Sequence, residues 1–317
     1  MSARRRRPGL VCSPPGLLLG GALLASCQHG PTAAGQSGAA GSASATPAAA
    51  APSSPAPPPA ARAAAPVAAP LQPAAGALGC RVISSTGPAQ RESGASVSAG
   101  DRFVGADWLE LGKGTRLHLK HGPSGREWTL IGPARVLPCI EGLEELVVAE
   151  GKLRTEAGAG VRPGAQVLIG TPFGSLRYAD ASAELEITPA ALRLVVSAGD
   201  TWLSATHPSS GSETHTTGAH SMRRAARERL APGTAVAACA RAARQSEALA
   251  KSLLAPGLSG LGKLAAEHVR ARELARASCA TATAAVLQQS TGSERTARLA
   301  ELVSYRELWR HIPTAGG

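Results

Sequence analysis

The chain has 317 residues, with 33 Lys and Arg against 22 Asp and Glu for a net charge of +11, and 44% of its residues are hydrophobic. Residues 30–78 are almost wholly Ala, Pro, Gly, Ser and Thr, so part of that hydrophobic share brings no large side chain to a core. This composition excludes a polytopic membrane protein, a collagen-like chain and a single long coiled coil. All eight aromatic residues lie at or beyond Phe103, so folding starts well into the chain. The remainder, about 240 residues, is enough for one or two ordinary cores.

In chain order, a compact positive run from Arg4 to Arg7 is followed by an apolar stretch from Leu17 to Leu24 and then by Leu24-Ala25-Ser26-Cys27. A basic start, a short apolar core and small residues before a cleavage point describe a secretory signal over residues 1–26. The run is too short for a spanning helix and is bounded upstream by Pro14 and Pro15. The tetrapeptide resembles the bacterial lipobox. That resemblance implies diacylglycerol on the Cys27 thiol, cleavage before it, and acylation (typically palmitate) of the new amino terminus. Gln28, where an Asp would retain such a protein at the inner membrane, implies the outer membrane, facing the periplasm. Lipid chains anchor by burial, at about 0.8 kcal/mol per CH₂, without a spanning helix. Residues 27–78 then read as a lipidated Cys and a disordered tether. Stretches such as Ala56-Pro57-Pro58-Pro59 bury too little to offset ordering entropy and favour polyproline II.

Residues 79–206 read as all-β. Short runs such as Leu117-His118-Leu119, Trp128-Thr129-Leu130, Leu185-Glu186-Ile187 and Leu192-Arg193-Leu194-Val195-Val196 alternate apolar and polar residues between Gly, Pro or Asp. Period two with turn residues between is the pattern of half-buried strands, and many in succession imply a sandwich or β-roll. Trp108, Trp128 and Trp202 are expected in its core, and Thr171-Pro172 at a turn or edge, since Pro cannot donate to a ladder. Gly151, Gly174 and Gly199 are expected at turns or bulges.

The same region resembles the FecR domain family, the periplasmic part of ferric-citrate-type signalling regulators. The resemblance lies in Ser96-Val97-Ser98-Ala99-Gly100-Asp101-Arg102-Phe103, in Trp108-Leu109-Glu110-Leu111-Gly112-Lys113-Gly114-Thr115 and in Val147-Val148-Ala149-Glu150-Gly151-Lys152-Leu153. It continues in Gly170-Thr171-Pro172-Phe173-Gly174-Ser175 and closes in Leu194-Val195-Val196-Ser197-Ala198-Gly199-Asp200-Thr201-Trp202. It departs from the family at Ala179-Asp180-Ala181-Ser182, where a Gly-Thr-x-Phe turn is usual. The resemblance implies an envelope β domain used as an interaction module, over about 125 residues, and it transfers fold better than function.

The polar segment 207–221, with His207, His215 and His220, reads as a linker to a helical basic domain over residues 222–317. Helical patterning covers 222–253, 261–289 and 293–311, with Pro232-Gly233 interrupting the first. In the last helix Leu299, Leu302, Tyr305 and Trp309 form an apolar docking stripe, and Ser293 is a candidate N-cap. The fold class is therefore multidomain: an all-β domain followed by a small α-helical bundle.

Cys12 falls within the signal and Cys27 carries lipid, leaving Cys80, Cys139, Cys239 and Cys279. An even number in an exported chain reads as disulfides, and four cysteines allow three pairings. Position favours Cys80 with Cys139, both in the strand-like region, and Cys239 with Cys279. The latter two sit symmetrically about the turn Ala255-Pro256-Gly257-Leu258-Ser259-Gly260, so an antiparallel helical hairpin sets them opposite each other. No CxxC or CxxH spacing supports a zinc site.

Residues 80–208 carry 13 basic and 14 acidic residues, whereas 209–317 carry 15 and 8. The excess charge of the helical region makes Arg223, Arg224, Arg227, Arg241, Arg244, Arg270, Arg272 and Arg276 candidates for holding an anionic polymer. No GxSxG, HExxH, Walker or dinucleotide motif is present, so no catalytic residue, metal or cofactor is assigned. His118 and His121, three apart on a strand, fall on opposite faces and are not a ligand pair. The expected function is that of a non-enzymatic envelope lipoprotein contacting peptidoglycan, lipopolysaccharide or a protein partner. An envelope signalling component is the alternative. Nucleic acid is not expected as a partner.

Overall fold

The computed structural model describes residues 79–310 apart from 106, 141, 142, 144, 158–165, 205–212 and 255–260. The expected signal, Cys27, the tether and His207 lie outside the described residues. Among those described, fourteen strands come first: β1 (Cys80–Thr86), β2 (Ala89–Arg91), β3 (Arg102–Phe103), β4 (Leu109–Leu111), β5 (Arg116–His121), β6 (Glu127–Pro138), β7 (Glu145–Thr155), β8 (Val167–Thr171), β9 (Gly174–Tyr178), β10 (Ser182–Ile187), β11 (Ala191–Ala198), β12 (Asp200–Ser204), β13 (Glu213–Thr217) and β14 (His220–Ala225). Helices α1 (Pro232–Leu253), α2 (Leu261–Gln289) and α3 (Gly292–Arg310) follow. The order is thus mostly β, then helical, as the patterning predicts.

The long strands β6 and β7, of 12 and 11 residues, organise the sheet. The first half of β6 pairs with β5 and with the end of β7, while its second half pairs with β4 and with the beginning of β7. From the end of β7 the ladder continues through β10, β11 and β14. From its beginning it continues through β8, β9, β12 and β13, and β7–β8 is the one parallel pair among the described strands. The sheet therefore folds over on itself. Leu130, Leu153, Leu185 and Leu194 from one layer share a buried core with Val136, Val148, Ile169 and Leu203 from the other. Gly151, at φ 116°, sits where β7 passes from one layer to the other. A Cβ there would strike Ala134.

Where α2 lies on it, at β7 and β8, the second layer is buried on both faces. Along β7, Leu146 and Val148 point into the sandwich, while Val147 and Ala149 join Leu168 in a separate cluster with Ala277, Ala280, Ala284 and Leu287 of α2. Alternate residues of a strand face opposite ways, so a continuous apolar run serves two cores. At Gly170 of β8 the helix comes so close that a Cβ would land on the Ala280 carbonyl. Helices α1 and α3 complete the layer: Val236, Cys239, Cys279, Val286 and Leu302 form one cluster, and Trp309 packs with Ala242, Ala243 and Ala275. The expected stripe on α3 is a docking face, with Leu302 and Trp309 buried.

Both expected disulfides are formed, with Cα–Cα distances of 5.7 Å for Cys80–Cys139 and 4.6 Å for Cys239–Cys279. Thr171-Pro172 makes the β8–β9 turn, where the Thr171 hydroxyl donates to the Gly174 carbonyl at 2.6 Å. At the foot of β7, Glu145 is fully buried. Its Oε1 accepts from Arg306 Nη2 of α3 at 2.5 Å, and its Oε2 lies 3.8 Å from Arg276 Nε of α2.

Two expectations are corrected. The supposed linker 207–221 contains β13 and the first two residues of β14, which pair with β12 and β11. Residues 222–225 are accordingly strand, and the first helix begins at Pro232, whose missing N–H costs nothing at that position. The helices are also not a separate domain 222–317, because α2 shares a core with β7 and β8. Among the described residues, no helix is long and apolar enough to cross a membrane.

Two predictions follow from this packing. Gly170→Ala forces a methyl against the Ala280 backbone and is expected to cost about 1–3 kcal/mol, measured by urea denaturation. Gly262→Ala, with open space around it, is the control and is expected to hold or raise stability. His268 of α2 is buried, and this burial, reinforced by Arg272, pushes its imidazole below the ordinary value of 6.5. The unfolded chain therefore takes up a proton that the folded chain refuses, and stability is lost as pH falls below about 6.5. Denaturation at pH 7.5 and 5.5 is expected to give a smaller loss for His268→Gln than for the parent.

Candidate functional site

The basic residues of the helical region are divided by the fold. Arg224 lies on β14, where alternate residues face in and out, and its side chain turns inward. Its Nη1 donates to the Phe173 carbonyl and its Nη2 to the Ser204 carbonyl, tying the β8–β9 turn to the end of β12. Burial lowers the pKa of this guanidinium, with Glu228 opposing. Arg276 is likewise turned inward, 3.0 Å from Glu273 and facing Glu145. These two are structural residues and are withdrawn from the polyanion set. Arg223 is exposed directly across from Arg193 of β11, Arg227 is exposed on the short turn after β14, and Arg270 is exposed on α2. Arg272 is half-buried on α2 near His268. The eight arginines do not form one surface.

Arg241 and Arg244 do come together with other groups. They sit one helical turn apart on α1, and α3 presents Arg298, Glu301 and Tyr305 across from them at the same helical repeat. Small residues on α1 (Gly233, Ala237 and Ala240) leave room between the helices for a groove of about 560 Å³. Arg244 lies 6.0 Å from the Tyr305 ring centroid, within range of a cation–π contact. The Tyr305 hydroxyl donates to Glu301 Oε1 at 2.7 Å. That bond, burial and the Glu301 charge raise the Tyr305 pKa, so the phenol stays protonated. Arg298 is paired with Glu294 at 3.0 Å, whereas Arg241 is exposed and has no ion-pair or hydrogen-bond partner among the described residues.

The start of α1 opens on the same groove at Gly233 and has neither a side-chain cap nor an acidic residue in its first turn. Its free amides add to the positive field of the three arginines. The one carboxylate lining the groove, Glu301, is occupied by Tyr305. Planar guanidinium forks beside a flat aromatic face suit an anionic, hydroxyl-rich ligand. Sequence reasoning found Arg241 and Arg244 but missed Arg298, Glu301 and Tyr305. The i, i+3, i+7 spacing of the latter three was a signal for a shared face, though not for which helix they meet.

The histidines of the supposed linker have strand positions. The His215 ring stacks on Trp202 at 4.5 Å between centroids, and His220 Nε2 lies 3.0 Å from the Thr201 hydroxyl. Trp202 is thus half-buried on a sheet face, while Trp128 is buried and donates to the Tyr178 hydroxyl at 2.5 Å. Among the described residues, no three His, Cys, Asp or Glu side chains gather as a metal site would require.

The contrast between neighbours on β14 is testable. Arg224→Leu leaves the buried Phe173 carbonyl and the half-buried Ser204 carbonyl without their donor and is expected to cost about 2–3 kcal/mol in urea denaturation. Arg223→Leu is expected to leave the midpoint unchanged.

No family model matches the chain, and no curated protein does. Among solved structures, the crystal structure of a candidate anti-sigma factor from Parabacteroides distasonis is similar over 39% of this chain and 57% of that one, at 11% identity and a TM-score of 0.32.

Proposed function

We propose that the chain is a non-enzymatic lipoprotein of the bacterial cell envelope, anchored through Cys27, whose groove between α1 and α3 holds an anionic envelope polymer. The observation that carries this reading is the convergence of Arg241, Arg244 and Arg298 around Tyr305. The two disulfides support an oxidising compartment, and the lipobox-like tetrapeptide supports the anchor. The FecR-like segments of the strand region fit a β scaffold that displays the helices. Those same segments favour a second reading, in which the chain takes part in an envelope signalling system.

The test is cosedimentation of the full-length protein, in detergent, with purified cell-wall sacculi and with lipopolysaccharide across a salt series. Binding is expected to weaken as salt rises and to fall about tenfold or more in an Arg241, Arg244 and Arg298 to Ala variant. Arg223→Ala with Arg227→Ala is expected to bind like the parent. An absence of binding at low salt, together with a specific inner-membrane protein captured by in-cell cross-linking, favours the signalling reading.

A further inference from the structure

A second cavity, of about 230 Å³, lies on the other side of α3, between that helix, α2 and the sheet. Its walls are apolar, with Leu137 and Ile140 from the β part facing Leu287, Leu299 and Leu302 from the helices. Val104 and Val303 also line it and are each 47% exposed, so it opens to solvent on that side. Two of its lining residues carry buried donors that nothing among the described residues satisfies. Arg306, only 4% exposed, uses Nη2 on Glu145, but its Nη1 has no hydrogen-bond partner among the described residues. Trp108, 8% exposed and flanked by Arg135 and Arg295, has no acceptor for its indole N–H among the described residues. The other polar lining groups are engaged: the Thr283 hydroxyl donates to the Cys279 carbonyl at 2.8 Å, and Glu307 has an interaction of its own.

A buried donor without an acceptor is costly, and folded proteins rarely leave two in one place. Ligand sites have this character, with mostly apolar walls and a few convergent polar groups. A dry cavity of roughly 150 Å³ is large enough for benzene, so this one has room for about ten non-hydrogen atoms. The guanidinium fork leaves Nη1 able to hold a second oxyanion while Nη2 stays on Glu145. We propose that this cavity binds a medium-chain aliphatic carboxylate, its chain against Leu137, Ile140, Leu287 and Leu302 and its head on Arg306 Nη1 and the Trp108 N–H. The site is separate from the basic groove and does not depend on the function assigned to it.

The test is calorimetric titration of the full-length protein with octanoate and, separately, with octanol, which keeps the chain and lacks the carboxylate. Octanoate is expected to bind saturably at one site, with octanol about tenfold weaker. Val303→Trp, placed at the open side where the fold tolerates bulk, is expected to abolish binding while keeping the parent's thermal unfolding. A variant-free check is nuclear Overhauser contact between octanoate methylenes and the Trp108 indole protons in the parent protein. No saturable binding, equal affinity for octanol and octanoate, or undiminished binding by a folded Val303→Trp each overturns the proposal. So does the absence of those contacts with octanoate bound.

Discussion

A single buried carboxylate fixes how the helices sit on the sheet. Glu145 begins β7, the strand that both layers share, and it has no exposure to water. Its two oxygens face Arg306 of α3 and Arg276 of α2, so each helix contributes a charge to one point on the sheet. Burying such a group is costly, and removing one partner of a buried pair typically costs about 3–5 kcal/mol. The apolar contacts around it are thin, because α2 meets the sheet through Ala277, Ala280 and Ala284. Alanines permit close approach but slide easily; the charges and the Gly170–Ala280 contact select one docking position. The Cys239–Cys279 bond then holds α1 to α2, so that positioning α2 positions the basic groove as well.

The strands were legible wherever one face was wet. Leu117 and Leu119, Leu185 and Ile187, and Leu192 and Leu194 alternate with exposed or half-exposed neighbours, and all form strands with those residues inward. β13 was not legible, because Glu213–Thr217 is almost wholly exposed and gains its order from backbone pairing with β12. The docking of the helices was readable in principle. Leu146-Val147-Val148-Ala149 is a run with no polar face, which requires cover on both sides. What it could not reveal was the identity of the cover, since an alanine-rich helix carries no pronounced apolar stripe.

The candidate site divides along the same line. Arg241 and Arg244 share a helix, so their common face follows from spacing alone. Arg298 and Tyr305 join them only through tertiary packing. Arg223 and Arg224 are adjacent and chemically identical, yet one faces water and the other ties two loops together. Strand parity separates them, and parity was hidden while residues 222–225 were read as helix.

The disulfides follow one another along the chain without interleaving. Cys80 joins Cys139 and Cys239 joins Cys279, so each loop closes before the next opens. Of the three ways to pair these four cysteines, this one closes the shortest loops, with separations of 59 and 40 residues. Each bridge therefore constrains its own part of the chain, one within the strands and one between the helices, and neither ties the strands to the helices.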